Sequence, residues 1–175
     1  WLNDKKMTML GRFQSQRMLR DMSRAGCKYV VLETSSEGIK QHRHRGIDYD
    51  VAVFTNLTPE HLEAHGGFEN YKKAKGELFA ALTSKHRNKQ TNKQKIAVVN
   101  ADDEYADYFL SFPADQKVIF SMDPTNLKGG AGTGEIVAEN IENTKAGSRF
   151  EVFGTEFTVN MPGEFNVYNA LAAVA

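Results

Sequence analysis

Two short apolar runs, Tyr29-Val-Val-Leu32 and Val51-Ala-Val-Phe54, each break off into a cluster of polar, chemically capable residues. The first is followed by Glu33-Thr-Ser-Ser-Glu-Gly38 and Gln41-His-Arg43. The second is followed by Thr55-Asn-Leu-Thr-Pro-Glu-His61. A continuous apolar run of this length reads as a strand covered on both faces, which is the signature of a parallel sheet. In open α/β sheets ligands bind at the carboxyl ends of the strands. Strands that deliver carboxylate, hydroxyl, imidazole and amine groups to one edge therefore constrain both the fold and the place of its chemistry.

Helical periodicities separate further strand-like runs. Apolar residues at Phe13, Met18, Leu19 and Met22 predict a helix over Arg12–Ala25, stopped by Gly26. Strands are expected over Lys28–Glu33, Asp50–Asn56, Ile96–Val99 and Val118–Phe120. Thr58 reads as a helix N-cap with Pro59 at the first helical position. A longer helix is expected from Phe68 to Leu82, and a short one from Asp103 to Leu110. After Phe120 the texture changes. Ile136–Ile141, Arg149–Phe153 and Glu156–Val159 alternate and are punctuated by Gly147 and Gly154, which predicts an antiparallel meander before a terminal helical pattern. The fold class is α/β: a mostly parallel sheet flanked by helices, plus a small antiparallel β element.

At 175 residues the chain is one domain by length. Charge balances at 22 basic against 22 acidic residues, which leaves no nucleic-acid footprint. No apolar run approaches the ~18 residues of a membrane span, so no membrane partner is expected. The one cysteine, Cys27, excludes an internal disulfide, fits a reducing, cytoplasmic compartment and is expected to be a small buried residue. Ser84–Lys95 is basic but carries no interleaved aromatic residues, so it reads as a solvated loop. The glycine-rich Lys128–Gly134 is not a phosphate loop, because Glu135 and a strand-like run follow where Lys, Ser/Thr and a helix are needed. The chain opens without methionine and stops inside a helical pattern with no cap, so both ends are expected to be cut.

Glu33 ends a strand, where a carboxylate can face a ligand. His61 follows Asn56 and Thr58, and Lys75 lies in a helix between Ala74 and Gly76. As a metal set this is odd, since an ammonium repels cations. Arg43 can make paired bonds to a carboxylate or phosphate, with Ser35 and Gln41 as neutral partners. His42 and His44 stand beside Arg43 and Arg45, a poor cation site. Asn166 and Asn169, three apart, share a helix face. Asn100-Ala-Asp-Asp103 is explained by a strand-to-helix turn.

These words together resemble the central, ATP-handling domain of the Mur ligases, over nearly the whole chain and most densely from Asp4 to Phe79. The resemblance implies a P-loop-NTPase-like core whose first strand and P-loop would precede Trp1. The N-terminal UDP-binding and C-terminal amino-acid-selecting domains would also lie outside, making residues 1–175 a partial central domain. It implies an ATP-dependent ligase of peptidoglycan synthesis that joins an amino acid to a UDP-N-acetylmuramoyl peptide through an acyl phosphate. Glu33, His61 and a carbamylated Lys75 would be catalytic and would handle Mg²⁺. Thr8, Ser35, Gln41, Arg43 and His65 would meet the UDP-muramoyl peptide, and Asn166 and Asn169 the adenine of ATP. Glu37, Met9 and Glu60 depart from the familiar words. Two alternatives remain: a folylpolyglutamate or cyanophycin synthetase type of ligase, and a non-catalytic nucleotide-sugar-binding domain.

Overall fold

A parallel sheet needs crossover connections, and the chain supplies helices between its strands. The computed structural model describes residues 9–59, 62–83, 93–130 and 132–175. Thr8, Glu60, His61 and most of the basic loop lie outside them. The described residues fall into two compact units, one of 9–48 and 59–83, the other of 49–58 and 93–175.

The second unit holds the sheets. Four strands, β1 (Val51–Phe54), β2 (Ile96–Asn100), β3 (Gln116–Ser121) and β4 (Thr133–Val137), pair in parallel in sequence order. The register sets Phe54 beside Val99, and Asn100 beside Phe120. Three further strands, β5 (Glu139–Asn143), β6 (Ser148–Val152) and β7 (Thr155–Val159), form an antiparallel sheet. Helices α5 (Ala106–Leu110) and α6 (Glu164–Val174) complete the unit. Val98, Val118 and Phe120 of the parallel sheet, Phe150 and Val152 of the antiparallel one, and Val167 and Leu171 of α6 share one core. Burying a side chain of the size of Val, Leu or Phe contributes about 1.5–3 kcal/mol. Consecutive residues Ala97, Val98 and Val99 are all buried, as a strand covered on both faces requires.

The first unit is helical: α1 (Arg12–Arg24), α2 (Ser36–Lys40), α3 (Leu62–His65) and α4 (Phe68–Ala80). Gly26, at φ +83°, ends the turn after α1, a conformation favouring glycine. Gly38 serves a different end: a Cβ there would lie 2.6 Å from Met9 Sδ and 3.1 Å from Ser35 Oγ, so α2 sits against the Met9 segment only because the position lacks a side chain.

The α/β class with its small antiparallel element is as expected, and several elements are corrected. Lys28–Glu33 is not a strand: it pairs with no ladder among the described residues, and Tyr29 and Val31 are 92% and 100% exposed. Cys27 is exposed for the same reason, since nothing packs over a segment without a partner. β1 alternates between exposed and buried residues, because it ends the sheet and has one face covered. The expected strand Ile136–Ile141 is broken at Ala138, whose N–H donates to Ser121 O at 3.1 Å; Val137 closes the parallel sheet and Glu139 opens the antiparallel one. Thr58 and Pro59 are not helical, and the first described residue of α3 is Leu62. Lys95 is not solvated. It is buried, with Nζ donating to Tyr49 O at 2.7 Å and pairing with Asp50 at 3.1 Å. A buried ammonium is tolerated when it is paired and hydrogen-bonded in this way.

Candidate functional site

Beyond Leu32 the chain turns into α2 through Ser35, whose Oγ accepts from Gly38 N at 3.1 Å and caps the helix. Ser35 thus has a local duty besides any ligand contact. Glu33, two residues earlier, is exposed. Ser36, inside the first turn, is buried and lies 3.1 Å from His65 Nε2, also buried. His65 ends α3, its carbonyl accepting from Asn70 Nδ2 at 3.1 Å, and its ring stands 5.3 Å from that of Tyr71.

Tyr71 joins two candidate groups. Its ring meets His65 on one side, and Lys75 Nζ lies 5.2 Å from its centroid. One helical turn separates Tyr71 from Lys75, the i, i+4 spacing that stacks side chains on one face of α4. Ala74 and Gly76, both buried, keep the flanks of Lys75 small.

Gln41 and Arg43 come together as the sequence predicts. Arg43 Nε donates to Gln41 Oε1 at 2.9 Å, and Gln41 Nε2 donates to Glu37 Oε1 at 3.2 Å. Arg43 Nη1 also donates to the Met9 carbonyl, fixing the guanidinium across the start of the unit. Nη2 donates to the same Gln41 Oε1, so the Nε–Nη2 edge of the guanidinium is bound within the unit. His44 is buried with its Nδ1 unpartnered, and burial lowers its pKa below the ordinary histidine value, against an opposing pull from Glu77.

The metal expectation meets a divided donor set. Glu33 is a hard oxygen ligand suited to Mg²⁺. Lys75 Nζ lies over the Tyr71 ring, and His61 lies outside the described residues, as does Thr8. Among the described residues no group of three His, Cys, Asp or Glu could hold a metal ion.

In the second unit, Asn166 is buried and its Nδ2 donates to Pro162 O at 2.9 Å, tying down the start of α6, while Asn169 is exposed. Asn100-Ala-Asp-Asp103 is structural, as expected. Asn100 Nδ2 donates to Thr55 O at 2.8 Å, and Asp103 accepts from the backbone N–H of Leu57 and of Tyr105, each at 2.9 Å. The glycine-rich segment leads into β4, which agrees with rejecting it as a phosphate loop.

The family model described as the Mur ligase middle domain matches residues 2–175. The chain belongs to the Mur ligase family. A UDP-N-acetylmuramoyl-L-alanyl-D-glutamate–2,6-diaminopimelate ligase of Halalkalibacterium halodurans is 37% identical over 99% of the chain and 34% of its own length. A UDP-N-acetylmuramyl-tripeptide synthetase of a Roseiflexus species is 35% identical over the same shares. A solved structure of a UDP-N-acetylmuramoyl-L-alanyl-D-glutamate–2,6-diaminopimelate ligase matches 94% of the chain and 32% of its own at 30% identity, with a TM-score of 0.73. The chain thus spans about a third of the length of the curated relatives it matches.

Ser36 and Tyr71 escaped the sequence reading. Ser36 had no signal beyond its place in the Ser-Ser word, because its partner is 29 residues away. Tyr71 had one: its spacing from Lys75 on a single helix face.

Proposed function

We propose that this chain is the central part of an ATP-dependent acid–amino-acid ligase that extends a UDP-N-acetylmuramoyl peptide in the cytoplasm. One observation carries the reading: a Mur ligase middle-domain match over residues 2–175, with the curated relatives above 35–37% identical over 99% of the chain. In the reaction, a carboxylate oxygen of the muramoyl peptide takes the γ-phosphoryl group of ATP and ADP leaves. The amine of the incoming amino acid then attacks the acyl carbon, loses a proton and expels phosphate as the amide forms.

The residues of the first unit divide this work. Arg43, its Nε and Nη2 spent on Gln41 and one Nη1 proton on the Met9 carbonyl, would offer its remaining Nη protons to an anionic group of the acceptor, with Ser35 and His65 as further contacts of that substrate. Ser36 holds His65 in one orientation from within the unit. In the second unit, Asn166 and Asn169 would meet the base of ATP, Asn169 as the exposed amide of the two. Magnesium, when bound, would neutralise charge on the phosphoryl oxygens, held by Glu33, His61 and Lys75 as a carbamate.

Carbamylation is the most testable part. In the complete ligase supplied with ¹³C-bicarbonate and Mg-ATP, a carbamate resonance is expected and is lost in Lys75→Ala. That variant should retain little turnover, with partial recovery on adding short carboxylic acids that supply oxygens in place of the carbamate. Full activity with no carbamate signal would remove Lys75 from the metal set. ATP binding without turnover on any muramoyl peptide would leave a binding domain in place of a ligase.

A further inference from the structure

Asp102, just beyond the carboxyl end of β2, accepts four hydrogen bonds from three later segments. Ser121 Oγ and Asn126 Nδ2 (the latter at 3.0 Å) reach Oδ1, while Met122 N at 2.8 Å and Tyr168 Oη at 3.0 Å reach Oδ2. Ser121 ends β3 and Met122 follows it, Asn126 closes a 3₁₀ turn, and Tyr168 belongs to α6. Beside this junction opens a cavity of about 490 Å³ that Tyr168, Asp123 and Ile141 help to line. Of the four bonds, the one from Tyr168 spans 66 residues and alone ties the carboxylate to α6.

Stability of the helix does not call for that tie. Val167 and Leu171, both fully buried and one turn apart, already hold α6 on the core. Apolar burial is non-directional, so it fixes which face is inward more firmly than the rotation about the axis. A phenol–carboxylate bond is directional and fixes the rotation. Successive helical residues lie about 100° apart, so the rotation set at Tyr168 also sets where the exposed Asn169 points.

We propose that the Tyr168–Asp102 bond is a positioning clasp that sets the rotation of α6 against the carboxyl ends of β2 and β3 and so aims Asn169 at the nucleotide. Tyr168 is a positioning residue here, not a catalytic one, and the proposal rests on the ligase reading given above. Burial, then the bond to Asp102, pushes the Tyr168 phenol up to about 12, so it remains a donor across the working pH range.

The test uses the complete ligase with Tyr168→Phe, which keeps the ring and removes the donor. KM for ATP, and the dissociation constant of a fluorescent ATP analogue, should rise about fivefold, the scale of one ordinary net hydrogen bond. The kcat should stay within about twofold, and KM for the muramoyl peptide should not change. Asn126→Ala removes another donor from the same carboxylate but leaves α6 tied, and should keep KM for ATP. A Tyr168→Phe enzyme with a lowered melting temperature and unchanged ATP affinity would overturn the clasp, as would equal rises for every substrate. If the unmodified ligase binds no ATP, the ligase reading fails and the clasp with it. If it binds ATP and the variant binds equally well, the clasp alone fails.

Discussion

Tyr29–Leu32 and Val51–Phe54 have the same apolar character and different fates. The second run pairs residue by residue with β2, buries Phe54 to 4% exposure, and hands its following segment to Asn100 and Asp103. The first run makes no ladder among the described residues, exposes Tyr29 and Val31, and is followed by an exposed Glu33. Apolar composition therefore says which segments can be strands, while the ladder partner decides which ones are. The polar clusters differ in the same sense. Among the described residues after β1, Thr55 and Leu57 are held by structural bonds, whereas Glu33 is exposed.

The largest test of that contrast is Phe54→Ala. Phe54 stacks on Phe109 at 3.8 Å between centroids and 20° between planes, so truncation removes a ring from a filled core. A loss of about 3–5 kcal/mol is expected in urea unfolding of the chain. A loss under 1 kcal/mol would mean that β1 is no better anchored than the first run.

A paired experiment on the two carboxylates comes next. Asp103 accepts two backbone N–H groups, so Asp103→Ala should cost about 1–3 kcal/mol of stability by stranding them. Glu33→Gln, at an exposed position, should change stability by less than about 0.5 kcal/mol. In the complete ligase the same Glu33→Gln should lower turnover by about a hundredfold, near 2.7 kcal/mol of transition-state stabilisation. Were Glu33→Gln to destabilise the fold and spare turnover, the division of labour between the two clusters would be reversed.

How far the fold was legible follows from the range of the interactions involved. β2 and β3 were readable because a strand buried on both faces is apolar without alternation, a local signal. α1 and α4 were readable from their spacing. The break at Ala138 was not, since one extended segment serves two sheets there and only the partners, β3 on one side and β6 on the other, tell the halves apart. Lys95 was misread because its charge signals solvent, whereas its ion pair with Asp50 forms across 45 residues. At the candidate site, Gln41 and Arg43 were legible because they meet two residues apart. The Ser36–His65 and Asp102–Tyr168 contacts close over 29 and 66 residues, and nothing local announces them.

The smallest expected effect bears most directly on the contrast. Val31 is fully exposed in this structure, so Val31→Ser in the 175-residue chain removes no buried apolar surface. Surface substitutions away from caps, turns and cores fall within about ±0.5 kcal/mol, and the same is expected here. Val98→Ser, made in parallel, places a hydroxyl in the core beside Val118 and Phe120 and should cost several times more, through lost burial and an unsatisfied donor. Equal effects at the two positions would show that Tyr29–Leu32 is held in a ladder after all. A loss of 1 kcal/mol or more at Val31 alone would already place that run among the buried strands, and the exposure of Cys27 could then be checked independently by its rate of reaction with a thiol reagent.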